Sequence, residues 1–223
     1  MMAIDQGTTG TRTILFNHDG IAVASNYEEV EQIYPHPGWV EQDARAYFPS
    51  VLRTAQEALK QARATLDDVM GIGITCQRET TVLWHRGTGE PVANAIVWMC
   101  RRTTEICEQL RAQGYEDWVR NKTGLYIDPY FSGSKIAWLL DNVPGIREQA
   151  ESGDICMGTI DTWLIWNMTG GRYHVTDYSN ASRTMLLNIH DLKWDADLLD
   201  ALRIPPSILP ELRPSSGIIA YTD

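Results

Sequence analysis

The sequence lacks the long hydrophobic runs, the basic excess and the signal segment that mark several common protein classes. No stretch of its 223 residues approaches the roughly 18 consecutive apolar residues that a membrane helix needs. The formal net charge is −10, and this acidic balance argues against nonspecific binding to nucleic acids or anionic membranes. No signal peptide precedes the first apolar run. These absences favour a cytoplasmic protein with neither a membrane nor a nucleic-acid partner.

The four cysteines show no spacing that would assign them a metal or a redox reaction. Cys76, Cys100, Cys107 and Cys156 form no Cys-x-x-Cys pair. We therefore expect reduced, mostly buried thiols, as in cytoplasmic proteins. A hydrophobic content of 43% and a charged content of 22% are ordinary for a globular protein of one large or two small domains.

The most informative segment is a glycine- and threonine-rich stretch near the start of the chain. Residues 5–12 read DQGTTGTR and lie between two short apolar runs. Glycine lets a backbone approach a ligand closely, and successive N–H groups and hydroxyls in such a loop can hold a phosphate. Asp5 can face Mg²⁺, which binds carboxylate, water and phosphate oxygens. The alternative interpretation is an ordinary hairpin turn, and no Walker A sequence occurs in the chain.

Apolar periodicity predicts an α/β fold with a mixed sheet flanked by helices. A three-stranded antiparallel meander comes first, with strands at residues 2–4, 13–16 and 21–31. A helix over residues 43–64 follows, with Asp43 as its N-cap, and the apolar run 69–75 is suited to a buried strand. The later elements are expected to be strands at 80–85 and 94–98, and helices at 102–111, 132–142, 163–166 with Asp161 as cap, and 196–202.

Side chains that suit a small polyol follow the predicted buried strand. Arg78 and Glu79 offer donors and an acceptor for neighbouring hydroxyls, provided that the backbone turns there, since adjacent strand residues face opposite ways. Trp98 can pack on a carbon chain, and the hydroxyl of Tyr130 can meet a substrate. The alternatives are an exposed ion pair, a core tryptophan and a loop tyrosine that caps the core.

His174 and Asp177 suggest at first a metal site or an acid–base pair. The sequence supplies no third ligand or nucleophile beside them. A structural, hydrogen-bonded role is therefore the favoured interpretation.

Several segments together resemble the FGGY family of carbohydrate kinases, in particular its members that phosphorylate glycerol. The resemblance runs from about residue 4 to about residue 216. The segments that carry it are residues 5–9 (DQGTT), 77–81 (QRETT), 96–98 (IVW), 100–103 (CRRT), 124–133 and 176–185 (TDYSNASRTM). It implies a ribonuclease H-like, actin-like ATPase fold, with residues 1–223 as the N-terminal domain that binds substrate and phosphate.

The resemblance also implies a role for each candidate residue. Thr8, Thr9, Gly10 and Arg12 would contact the phosphates of ATP, and Asp5 would orient Mg²⁺ through water. The acceptor residues would be Arg78, Glu79 and Tyr130, which would hydrogen-bond glycerol, and Trp98, which would line the apolar side of its site. The expected reaction is in-line transfer of a phosphoryl group to give sn-glycerol 3-phosphate.

The sequence departs from the family in two respects. Gly10 stands where many members carry serine, so one hydroxyl contact to phosphate is lost, although Thr11 follows directly. Members of the family are also longer, and their general-base aspartate lies in a Gly-Asp-Gln segment beyond the position of Asp223. No catalytic residue is therefore expected within this chain, the adenine-binding C-terminal domain is expected to be missing, and the chain alone is expected to be inactive.

Three functions stay open at this stage. The first is glycerol kinase, as a homo-oligomer in its full-length form. The second is a kinase of a related polyol or sugar, and the third is a noncatalytic binding module. A missing lobe would also leave an exposed apolar patch near Trp98 and Phe131.

Overall fold

The computed structural model describes residues 1–222, which divide into two compact units. The strands are β1 (Met2–Gln6), β2 (Gly10–Phe16), β3 (Ala22–Glu29), β4 (Glu41–Gln42), β5 (Ile72–Cys76), β6 (Val82–His85), β7 (Ala95–Ile96), β8 (Ile155–Gly158), β9 (Val175–Asp177), β10 (Leu187–Asn188), β11 (Lys193–Trp194) and β12 (Glu211–Arg213). The helices are α1 (Ala44–Ala62), α2 (Thr104–Ala112), α3 (Glu116–Thr123), α4 (Ser132–Asn142), α5 (Ile146–Ser152), α6 (Ile160–Met168), α7 (Tyr178–Ala181) and α8 (Ala196–Ala201). No helix among residues 1–222 is long and apolar enough to cross a membrane.

Unit 1, residues 1–32 and 42–77, is a four-stranded mixed sheet with one helix. The strand order is β3-β2-β1-β5. The pairs β1–β2 and β2–β3 are antiparallel, which confirms the predicted meander, and β5 runs parallel to β1. Helix α1 makes the crossover from the antiparallel strands to β5, because a parallel partner needs a long connection.

Helix α1 contacts this sheet through a seam of buried hydroxyls. It starts as predicted, with the Asp43 side chain accepting from the backbone N–H of Arg45. Its buried face carries Ser50 and Thr54, whose hydroxyls lie 2.5 Å from Thr11 Oγ1 and 2.8 Å from Thr13 Oγ1. Leu52, which recurs at helical spacing with the apolar residues Phe48, Val51, Ala55 and Leu59 and was predicted to share their face, is exposed. Apolar periodicity cannot identify polar residues that are buried in pairs across 39 and 41 positions.

Strand β5 differs from its prediction as a fully buried strand. Ile72, Ile74 and Cys76 are half-buried, whereas Gly73 and Thr75 are exposed. In the described sheet β5 is an edge strand. Its half-buried residues alternate with exposed ones, so only one face of the strand is covered. A short apolar run fits both arrangements, so the sequence did not decide between them.

Unit 2, residues 33–41 and 78–222, combines small sheets with helices around one hydrophobic core. Strand β6 pairs antiparallel with β8, and β9 pairs parallel with β12. The core draws on β6, β8 and α4 among other segments, with Leu83, Ile136 and Met157 almost fully buried. The strand predicted at 94–98 is reduced to the two residues of β7.

Aromatic residues of β6, α6 and the chain before β9 pack together in unit 2. Trp84 makes an edge contact with Trp163, at 5.1 Å between ring centroids, and another with His174 at 5.3 Å. His174 Nε2 lies 2.7 Å from the Met157 carbonyl, so it is the protonated ring nitrogen and donates. Burial lowers the pKa of His174 to about 4. The neutral ring therefore has the structural, hydrogen-bonded role expected from the sequence.

Asp161 lies inside the first turn of α6, so its prediction as the cap was wrong. The N-cap is Thr159, whose hydroxyl donates to the Asp161 carboxylate at 2.5 Å. Thr176 donates to the same carboxylate at 2.7 Å. Burial is the largest cause of its altered acidity and raises the pKa of Asp161 to about 6.

We expect the substitution Thr54→Val to lower the free energy of unfolding by about 1–3 kcal/mol, because it leaves the buried Thr13 hydroxyl without its partner. The double substitution Thr13→Val and Thr54→Val removes both polar groups and should restore much of that loss. Urea denaturation of the four proteins of this cycle measures both effects. Equal losses in the single and double variants would contradict the proposed pairing.

We expect stability to depend on pH through Asp161. Its folded pKa of about 6 lies above its ordinary 3.8, so the folded chain keeps a proton that the unfolded chain releases. The resulting stabilisation is full below the unfolded pKa and is lost as the pH rises through 6, by about 3 kcal/mol. Denaturation of wild type and Asp161→Asn from pH 4 to 7.5 tests this. A stability difference between the two proteins that does not change with pH would contradict it.

Candidate functional site

The hairpin between β1 and β2 is tighter than the sequence indicated. Only residues 7–9 lie outside the strands, and the N–H of Gly7 donates to the carbonyl of Gly10 at 2.9 Å. Tyr27 donates its hydroxyl to the Thr9 carbonyl at 3.0 Å and lies against Gly10. A Cβ atom at position 10 would lie 2.4 Å from Tyr27 and 2.5 Å from the Glu28 carbonyl. Glycine is therefore required here, and this explains the missing serine.

A buried glutamine supports the tip of the hairpin from below. Gln42 is fully buried, and its Nε2 donates to the carbonyl of Thr8 at 2.7 Å. Its Oε1 accepts from Tyr47 at 2.8 Å and from Gln77 at 2.7 Å. The side chain of Thr9 is exposed, whereas that of Thr8 is half-buried. The loop that presents the two threonines thus has a fixed backbone.

Asp5 and Arg12 face each other across the hairpin without forming an ion pair. They are register partners on β1 and β2, so their exposed side chains share one face of the sheet. Within residues 1–222 the Asp5 side chain has no hydrogen bond or ion pair, and the Arg12 guanidinium lies 5.4 Å from the Tyr27 ring. Both charges are therefore open to a ligand.

A single exposed carboxylate suits Mg²⁺ that is held mainly by water and phosphates. No group of three or more His, Cys, Asp or Glu residues within the described chain is placed to hold a metal. Mg²⁺ commonly keeps several waters and takes one or two carboxylates together with substrate phosphates. The residues present fit that mode of binding, with Asp5 as the protein contribution.

Thr11 does not replace the serine hydroxyl that Gly10 lacks. Its side chain is fully buried and faces α1, where Oγ1 lies 2.8 Å from Gln6 Oε1 and 2.5 Å from Ser50 Oγ. Although Thr11 directly follows Gly10 in the sequence, its hydroxyl is therefore engaged inside the unit. Strand alternation explains this, since Arg12 points to the open face and Thr11 to the covered one.

In unit 2, Arg78 and Glu79 occupy a turn directly after β5. Glu79 has a φ of 66°, in the left-handed region, which meets the requirement that the backbone turn between the two side chains. Its carbonyl accepts from Ser132 at 3.1 Å and from Thr81 at 3.2 Å, and these bonds offset the strain. Arg78 is exposed, whereas the Glu79 side chain is 2% exposed.

Trp98 and Tyr130 form a half-buried aromatic pair. Their ring centroids lie 5.3 Å apart, and Tyr130 lies 5.3 Å from Phe131. The Trp98 backbone N–H donates to Thr80, the residue after Glu79, at 3.2 Å. Phe131 is only 8% exposed, so the patch expected near Trp98 and Phe131 was wrong for Phe131.

A buried lysine fixes the loop that carries Tyr130. Lys135 Nζ donates to the carbonyls of Pro129 at 2.6 Å, Tyr130 at 2.6 Å and Phe131 at 3.1 Å. Burial lowers the pKa of Lys135 to about 7, while the three carbonyl dipoles favour the ammonium. The peptide groups on both sides of the Tyr130 side chain are thereby anchored to α4.

Arg183 is the residue of this group that sequence reasoning missed. Its Nε donates to Glu79 Oε1 at 2.6 Å, and its guanidinium lies 5.9 Å from the Tyr130 ring and 5.0 Å from the Phe131 ring. It lies in the segment 176–185 that resembles the family, but no role was predicted for it from the sequence. The structure thus links three of the four predicted acceptor residues, Glu79, Tyr130 and Trp98, through one cation and one aromatic pair.

Comparison with known proteins assigns this arrangement to a family. The model of the FGGY family of carbohydrate kinases, N-terminal domain, matches residues 1–223. The chain is 56% identical over 222 residues to a glycerol kinase of Bacillus subtilis, and the match covers all of the chain and 45% of that relative. The chain thus spans about half the length of the curated relatives it matches.

Solved structures of related kinases share the fold. A glycerol kinase of Plasmodium falciparum with ADP superposes with a TM-score of 0.89 at 37% identity, over 95% of this chain and 42% of that one. A gluconate kinase of Lactobacillus acidophilus has a TM-score of 0.88 at 25% identity, over 100% of this chain and 44% of its own. The predicted actin-like ATPase fold is confirmed by these relationships. On the match of its whole length, the chain belongs to the FGGY family of carbohydrate kinases.

Proposed function

We propose that residues 1–223 are the N-terminal, substrate- and phosphate-binding domain of a longer ATP-dependent glycerol kinase. The reaction is transfer of the γ-phosphoryl group of ATP to a terminal hydroxyl of glycerol, which gives sn-glycerol 3-phosphate and ADP. Similarity to curated glycerol kinases supports this assignment over the whole chain, at 56% identity to the relative in Bacillus subtilis.

The observation that carries the proposal is the buried carboxylate of Glu79 beside an aromatic pair. One of its oxygens is bound by Arg183, while Oε2 accepts no hydrogen bond from residues 1–222. A carboxylate oxygen with unused acceptor capacity, on a side chain that is otherwise almost fully buried, favours a ligand that supplies a hydroxyl donor. A polyol supplies hydroxyl donors for Glu79 and Arg78, and its carbon chain suits the faces of Trp98 and Tyr130.

In unit 1, the hairpin supplies the phosphate half of this function. Thr8, Thr9 and Gly10 offer loop backbone and hydroxyl groups to ATP, and Arg12 offers a cation to its phosphates. Asp5 orients Mg²⁺ through water, and the bound ion neutralises charge on the phosphate oxygens. The protein contributes chiefly by positioning and charge, which are the main needs of phosphoryl transfer.

A related acceptor is the second candidate, because the gluconate kinase of Lactobacillus acidophilus shares this fold at a TM-score of 0.88. The 56% identity to the glycerol kinase of Bacillus subtilis, against 25% to the gluconate kinase, favours glycerol over a longer sugar acid. A panel of glycerol, erythritol, xylulose and gluconate with the full-length protein distinguishes the two. A noncatalytic binding module is the remaining alternative, in which calorimetry would detect ligand binding without any turnover.

We expect the full-length protein to release ADP in a glycerol-dependent manner, and residues 1–223 alone to show no turnover. The general base and the adenine site are proposed to lie beyond residue 223, so the shorter chain should bind ligand without completing the transfer. A coupled assay for ADP measures both forms. Normal turnover by residues 1–223 would contradict the domain assignment, and no turnover by the full-length protein with any acceptor would contradict the function.

We expect Glu79→Gln in the full-length protein to lower kcat/KM for glycerol by about tenfold or more, equivalent to ~1.4 kcal/mol, because a charged hydrogen-bond acceptor becomes neutral. The KM for ATP should stay within about twofold, since this loss is confined to the acceptor. Glu108→Gln, an exposed glutamate on α2, serves as the matched control. An equal effect of both substitutions on glycerol would count against Glu79 as an acceptor-binding residue.

A further inference from the structure

Arg183 contacts acceptor residues that are far from it in the sequence. It follows α7 and donates from Nε to Glu79 Oε1 at 2.6 Å, across 104 positions of the chain. The Glu79 side chain is 2% exposed and that of Arg183 is 27% exposed. Within the described residues this is the only ion pair that Glu79 forms.

The ion pair with Arg183 engages only one of the two carboxylate oxygens of Glu79. Oε1 is occupied by the guanidinium, whereas Oε2 has no hydrogen-bond donor in residues 1–222. The hydrogen bond from Nε holds Oε1, and the Glu79 carbonyl is held by Ser132 and Thr81. Because the side chain is also only 2% exposed, the directions that the free oxygen can take are limited.

The same guanidinium also contacts the aromatic side of the site. It lies 5.0 Å from the Phe131 ring and 5.9 Å from the Tyr130 ring, within the range of a cation–π contact. The backbone of Tyr130 is independently anchored by Lys135. Arg183 thus contacts the Glu79 carboxylate by a hydrogen bond and the Tyr130 ring through its guanidinium.

We infer that Arg183 is a positioning residue that determines how this site recognises its acceptor. It directs Oε2 towards a substrate hydroxyl and holds that oxygen at a fixed distance from the Tyr130 ring. The acceptor class that fits is a short polyol with neighbouring hydroxyls, of which one donates to Glu79. This inference rests on the proposed kinase function and adds to it a residue that need not touch the substrate.

The test is a double-substitution cycle in the full-length protein, with Arg183→Met, Glu79→Gln and the combination of both. We expect Arg183→Met to raise KM for the acceptor at least about tenfold and to leave KM for ATP within about twofold. The combined variant should be no worse than Glu79→Gln by more than about twofold, because Arg183 acts through Glu79. Arg183→Lys, which keeps the charge but lacks the planar fork, should recover part of the loss.

The matched control is Arg120→Met, since Arg120 is an exposed arginine that lies 4.9 Å from the Tyr126 ring and has no carboxylate partner in the described chain. A merely structural Arg183 would lower the urea midpoint and leave acceptor KM unchanged, in either the Met or the Lys variant. That result would overturn the inference. A combined variant whose increase in acceptor KM equals the product of the two single increases would also overturn it, because the two residues would then act independently. If Arg183→Met does not fold, Arg183→Lys replaces it in the test. A raised KM for the acceptor with an unchanged KM for ATP then supports the inference, and an unchanged KM for both overturns it.

Wild-type turnover with glycerol tests the proposed function separately from this inference. The cycle is measured with whichever acceptor of the panel the wild-type protein phosphorylates best. If the wild-type protein prefers another polyol, the proposed substrate changes. The substitution cycle, measured with that polyol, still tests the positioning role of Arg183. If the wild-type protein turns over glycerol normally and neither Arg183→Lys nor Arg183→Met changes KM for the acceptor, the positioning role of Arg183 is rejected and the proposed function stands.

Discussion

Buried polar side chains, paired across long sequence separations, hold both candidate half-sites in place. An unpaired buried donor or acceptor costs roughly 1–3 kcal/mol, so each such group restricts where its partner segment can lie. In unit 1, Gln42 fixes the hairpin by donating to the Thr8 carbonyl. In unit 2, Arg183 compensates Glu79, and Lys135 binds three successive carbonyls of the Tyr130 loop. The geometry of each half-site follows from these polar contacts more than from its apolar surroundings.

This principle separates groups that serve the fold from groups that remain open to a ligand. Thr11 and Thr13 are satisfied by α1 and support the sheet. Asp5 has no protein partner in the described part of the chain, and one oxygen of Glu79 is likewise free there. The residues with spare hydrogen-bonding capacity are thus the ones proposed to meet Mg²⁺ and the acceptor. His174 and Asp161 are also buried and have altered acidity, yet their partners satisfy them inside the core.

Membership of the FGGY family places these observations in a common framework without fixing the acceptor. The fold is shared with kinases of glycerol and of gluconate, at TM-scores of 0.89 and 0.88. Discrimination between acceptors must therefore come from side chains placed on the shared backbone. The turn at Glu79, with its left-handed φ of 66°, and the guanidinium of Arg183 are the features of this chain best placed to make that choice.

The sequence by itself determined the meander, the start of α1 at Asp43, the glycine-threonine hairpin and the four candidate acceptor residues. These features depend on local patterns of apolar spacing, caps and turns, or on long motifs that resemble a family. Only the tertiary structure decided that Thr11 faces α1, that β5 is half-buried, that Asp161 is interior to α6, and that Arg183 binds Glu79. For Thr11 and Arg183 the physical reason is that a distant segment must come within about 3 Å, and partners at that range are chosen by the path of the whole chain. The burial of β5 depends likewise on which elements cover its faces, whereas the start of α6 differs from its prediction by the one or two residues within which sequence patterns do not locate a helix end.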